Sequence, residues 1–141
     1  MMDGLENLNQ NKMKKYFVPY DLALELKELG FDEPCFFAFD NTPMRCSDLR
    51  TVEQRFNGVN YNSSSYISQP TFSQAFRWFR EEYGFEVFLQ KEVNLVSGKT
   101  YSYLIENDVE EIIKRSPSKS SIERAELACI EKLLEIVKSK S

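Results

Sequence analysis

The side chains that could do chemistry in this chain are few. They are three cysteines, Cys35, Cys46 and Cys129; the adjacent carboxylates Glu81-Glu82 and Glu110-Glu111; the run Ser116-Pro117-Ser118-Lys119; and a single tryptophan, Trp78. There is no histidine, which removes the commonest general base, the Ser-His and Cys-His nucleophile pairs and the usual zinc ligand. The cysteines lack CxxC spacing, and an odd number does not build a disulfide framework, so they read as reduced, buried thiols rather than metal ligands. Neighbouring glutamates on a helix diverge by about 100°, so they suit a solvated face better than an acid–base pair. Ser116 to Lys119 has the SxxK spacing, but the companion Ser-Asp-Asn and Lys-Thr-Gly motifs are absent and Pro117 marks a loop. The glycines are isolated, so no phosphate-cradling loop can be drawn from them. These residues predict no catalytic centre, no metal site and no cofactor.

Trp78 points to binding instead. It lies in the clearest helix of the chain, residues 71–83, where Thr71 and Gln74 fit a capping box and Gly84 supplies the stop. Phe72, Ala75, Phe76, Phe79 and Tyr83 fall within about 60° of one line on that helix, while Trp78 lies about 120° away from it. Two readings follow. Trp78 is either a core residue on a second face, or an exposed aromatic anchor flanked by Arg77 and Glu81, of the kind enriched at binding hot spots.

The elements that must position these groups are legible as hydrophobic patterns. A first amphipathic helix spans 19–29, with Leu22, Leu26 and Leu29 on one face and Gly30 as its stop. Residues 35–40, CFFAFD, form an apolar run too short for a helix and predict a buried strand. Residues 57–69 are a polar loop with room for a short strand. Residues 85–93 and 100–106 alternate as two strands of a hairpin that turns at Gly98. Residues 108–115 suggest a helical turn, broken at 116–118. A last helix over 121–138 starts from a Ser120/Glu123 capping box and is apolar over about 200° of its circumference. Leu127, Ile130 and Leu134 extend its apolar face, so they predict either packing against the first helix or a seam between two copies.

Composition sets the class. The 141 residues are 42% hydrophobic and 13% aromatic, which predicts a folded protein. Residues 1–12 read as a polar tail and 13–141 as one domain. Charge is −3 over residues 1–60, −4 over 61–111 and +3 over 112–141; a weakly basic end on an acidic body is a poor phosphate-binding surface. No stretch has the length of a membrane span and there is no signal-peptide core, so a cytoplasmic protein is expected. The order helix, strand, strand, helix from Thr71 to Lys138 looks like part of the double-stranded-RNA-binding fold. A third strand is missing from the reading, however, and that family's basic cluster is replaced by Lys119, Ser120, Ser121, Ile122, Glu123 and Arg124.

Three blocks carry a second resemblance: VPYDLALELKELGFDEPCF (18–36), PTFSQAFRWFREEYG (70–84) and ERAELACIEKLLEIVK (123–138). Together they resemble small uncharacterised proteins encoded by phages and prophages of gut Bacteroidetes. Many of those begin near the position of Met13 and have a tighter link before the final helix, so the first twelve residues and the 116–121 linker are departures. The resemblance implies a phage-encoded accessory protein of the host cytoplasm and brings no activity, cofactor or site residue. The expectation is an α+β protein with a small antiparallel sheet, containing 35–40 and the hairpin, and about three helices packed on it. It is non-enzymatic, a monomer or homodimer with no membrane association, and it acts on an unknown host or phage protein through Trp78, Arg77 and Glu81. An RNA- or DNA-binding module of helix–strand–strand–helix type is the alternative.

Overall fold

The computed structural model describes residues 16–39, 60–63, 66–96, 98–109 and 111–139. The expected tail at 1–12, Cys46, and residues 57–59 and 64–65 of the expected loop lie outside them. The protein is α+β, and it divides into two compact units, Met1–Thr71 and Phe72–Ser141.

In the first unit, helix α1 (Tyr20–Glu28) buries Leu22, Ala23 and Leu26. Its end is a Schellman turn. Gly30 sits at φ +95°, its N–H donates to the Lys27 carbonyl (3.0 Å), and the Phe31 N–H reaches back to the Leu26 carbonyl (3.0 Å). Leu26 and Phe31, the apolar pair such a turn brings together, are both buried. Strand β1 (Phe37–Phe39) pairs antiparallel with β2 (Ile67–Gln69). The expectation of one sheet shared by β1 and the hairpin is therefore corrected, because β1 finds its partner inside the segment that read as loop, in a two-stranded sheet of its own. All three β2 residues are buried, so its polar groups need partners. Gln69 donates from Nε2 to the Val18 carbonyl (3.0 Å). Ser68 donates its N–H to Asn62 Oδ1 (2.7 Å) and accepts at Oγ from the Tyr61 N–H (2.7 Å). Asn62 also donates from Nδ2 to the Phe31 carbonyl (2.5 Å), tying β2 to the end of α1.

The second unit runs α2 (Phe72–Tyr83), β3 (Glu86–Asn94), β4 (Gly98–Glu106), β5 (Ile112–Arg115) and α3 (Ile122–Ser139), with the sheet in the order β3-β4-β5. β3 and β4 keep register without a break over nine pairs, from Glu86↔Glu106 to Asn94↔Gly98. Both helices pack on the sheet and on each other. Residues 108–115 do not add a helical turn. Asn107 closes a tight turn, its Oδ1 accepting from the Val109 N–H (3.1 Å) and the Glu111 N–H (2.9 Å), and the chain returns along β4. One isolated turn of helix satisfies few backbone groups, whereas a strand beside β4 satisfies them in the ladder. Past β5 the pairing continues: Ser116 donates to the Tyr103 carbonyl (3.0 Å), and Tyr101 and Lys119 exchange backbone bonds (2.9 and 2.6 Å). The third strand missing from the sequence reading is thus present. Helix α3 begins one residue later than expected, its first turn capped by Ser121 Oγ, which accepts from the Arg124 N–H (3.2 Å).

Candidate interaction surface

Trp78 takes the core alternative. Its side chain is 4% exposed and its ring makes edge contacts with Phe79 (5.2 Å) and Tyr83 (5.6 Å). The buried residues of α2 are Phe72, Ala75, Trp78 and Phe79, so the buried arc is centred near Ala75 and Trp78 forms one of its borders. Phe76 and Tyr83, which the periodicity put on the core line, stand at the other border, where Tyr83 is exposed. A buried indole is not presented to a partner, which corrects Trp78 as an anchor. Arg77 and Glu81 are exposed and bond to each other, Nε to Oε1 at 3.2 Å. An exposed i,i+4 pair of this kind contributes little to stability.

Among the described residues, Cys35, Cys129, Ser116 and Lys119 are tied into the core or the ladder. Cys35 and Cys129 are buried. Burial pushes the Cys35 thiol up to about 12, against a smaller opposing effect of a hydrogen bond with Ser68. Burial, with the nearby Glu126, raises Cys129 as well. A thiol so shifted holds almost no thiolate near neutrality and is a poor nucleophile. Ser116, the serine of the SxxK spacing, uses its Oγ to accept from the Tyr103 N–H (2.8 Å), and Lys119 is in the ladder with Tyr101. No group of three or more metal-ligating side chains occurs among the described residues, and no helix among them is long and apolar enough to cross a membrane.

The surface that stands out is a strand edge. β4 lies between β3 and β5, so the outer edge of β3 pairs with no strand among the described residues. It is nine residues long and free of proline, and its register with β4 contains no bulge, whereas natural edges are commonly shortened, bulged or proline-blocked to prevent pairing. Apolar side chains stand along it. Phe88 and Leu89 are exposed, Val93 is 72% exposed, and Leu95 and Val96 at the turn are fully exposed. The sequence signal was available in the alternation of EVFLQKEVN followed by Leu95-Val96, yet alternation says only that one face is covered. That β3 rather than β4 would be the edge depended on β5.

Family models, curated proteins and solved structures give no match to this chain.

Proposed function

We propose that this chain is a non-enzymatic accessory protein that acts by binding another protein chain, encoded by a phage as the resemblance of its three blocks implies and working in the host-cell cytoplasm without a cofactor. The observation that carries the reading is the open β3 edge with its exposed apolar residues. An extended segment added to such an edge gains main-chain hydrogen bonds, and alternate side chains supply specificity. Substituting Val93 and Leu95 by glutamate leaves the cores intact, since both project into solvent, and should break binding at this edge. The test is capture from infected cells with the full chain and with the Val93→Glu/Leu95→Glu variant as bait. A protein retained by the first and lost by the second supports the reading; identical sets of captured proteins contradict it.

One observation favours a second reading, a nucleic-acid-binding module. With β5 in place, residues 72–141 run helix, three antiparallel strands, helix, with both helices on the sheet, which is the element order of the double-stranded-RNA-binding fold. The charge opposes it. This unit carries 11 Lys and Arg against 12 Asp and Glu, and phosphate binding needs clustered cations. Element order alone does not carry function. Titration against a generic RNA duplex separates the two: affinity that falls steeply from low to physiological salt supports the second reading, and absence of binding at low salt removes it.

A further inference from the structure

Edge strands invite their own kind, and the sequence of β3 is suited to meeting itself. We propose that the partner at the β3 edge is a second copy of this chain, joined by antiparallel pairing of the two β3 strands about a two-fold axis at Gln90; this names the occupant of the surface on which the proposed function rests. An axis perpendicular to the sheet keeps the helix-covered faces of the two copies on one side and sets residue i opposite residue 180−i of the second copy, so that all nine residues of β3 are paired. Val87 then meets Val93, Leu89 meets Lys91, Phe88 meets Glu92, Glu86 meets Asn94, and the two Gln90 side chains meet each other. No like charges stand directly opposite, which matters because such pairs destabilise a ladder. The next two-fold register on one side sets Lys91 against Lys91, and on the other side Glu86 against Glu92. The central register is therefore favoured both by length and by charge.

The same geometry gives partners to two of the most exposed apolar residues of the hairpin, Val93 and Leu95. Val93 receives a β-branched partner in the second copy's Val87. Leu95, fully exposed in the lone chain, comes opposite the second copy's Phe85, beside which Tyr83 is stacked (6.4 Å, 14°) and itself exposed. Two three-stranded sheets joined in this way give one six-stranded sheet with β3 no longer at an edge.

The self-opposition of Gln90 supplies the test. Gln90 is exposed and pairs with Ser102 on β4, so Gln90→Glu and Gln90→Lys both leave the fold in place, which far-UV circular dichroism verifies. Sedimentation equilibrium of the full chain at about 100–500 μM, where a weak edge-to-edge pair still assembles, is expected to give twice the chain mass of 16.5 kDa. Each single variant, with like charges at the axis, is expected to give one chain mass, and an equimolar mixture of the two variants is expected to return to twice the mass. A wild-type chain that stays monomeric at the highest concentration overturns the proposal, as does a dimer that survives both substitutions or a mixture that stays monomeric. A monomeric wild type that still loses a captured protein on Val93→Glu/Leu95→Glu overturns self-pairing alone and leaves the proposed function standing.

Discussion

Trp78 carries its ring between Phe79 and Tyr83, and Tyr83 in turn stacks on Phe85, so one residue supports a cluster that spans the end of α2 and the start of the hairpin. Trp78→Ala should cost about 3–5 kcal/mol, the usual penalty for emptying a large aromatic site in a core. Wild-type tryptophan emission should be blue-shifted and protected from iodide; red-shifted emission with an almost unchanged denaturation midpoint in the alanine variant would refute the core placement. A second residue acts against the fold. Burial, with Glu123 nearby, raises the Glu126 carboxyl above its ordinary value of 4.5. A carboxyl whose folded-state pKa is raised favours the folded state while protonated, so its contribution is fully present below pH 4.5 and is lost as pH rises through the folded-state value. Glu126→Gln should therefore raise stability at pH 7 and bring no gain below pH 4. Denaturant midpoints of both proteins at the two pH values decide it, and an equal effect at both would show that the charge is not the cause.

At the scale of elements, turns and caps explain where the chain changes direction. Gly84 ends α2 at φ +74°, with its N–H on the Arg80 carbonyl (3.0 Å), and a Cβ placed there would lie 3.2 Å from the Cβ of Asp108. Gly84→Ala combines a left-handed backbone that costs about 1–2 kcal/mol for a side-chain-bearing residue with that close approach. A thermal melt should show a clear loss of stability, whereas an unchanged melting temperature would contradict the turn. The helices were legible because each pairs a 3.6-residue apolar period with a glycine stop or an oxygen-bearing cap: 19–29, 71–83 and 121–138 are observed as Tyr20–Glu28, Phe72–Tyr83 and Ile122–Ser139. The hairpin was legible for the corresponding reason at period two. β2 and β5 were not. Ile67–Gln69 is too short to show a period, and what holds it, the pairing with Phe37–Phe39 and the Asn62 hydrogen bond to the Phe31 carbonyl, comes from far away in sequence. Ile112–Arg115 is a strand because Asn107 closes the turn before it and β4 has an edge to fill.

At the scale of the molecule, Met1–Thr71 and Phe72–Ser141 each build a sheet of their own, so the sequence-level picture of a single sheet failed where pairing partners had to be assigned over a distance. The arc of α3 divides in a similar way. Ile130 and Leu134, which the periodicity offered as part of a seam between copies, are buried in the lone chain, and the three most exposed apolar residues among the described ones, Val93, Leu95 and Val96, lie on β3 and its turn. Residue types alone could not show this, since Val93 and Leu95 differ from core residues only in where the sheet ends. The central claim is that this edge pairs with the same edge of a second copy. Hydrogen exchange measured on β3 at two protein concentrations tests it most directly. The outward-facing, alternate amides of β3 are expected to exchange slowly at several hundred micromolar and near the unprotected rate after dilution to about 1 μM, while the amides bonded to β4 stay protected throughout. Outward amides that exchange at the unprotected rate at both concentrations would contradict it.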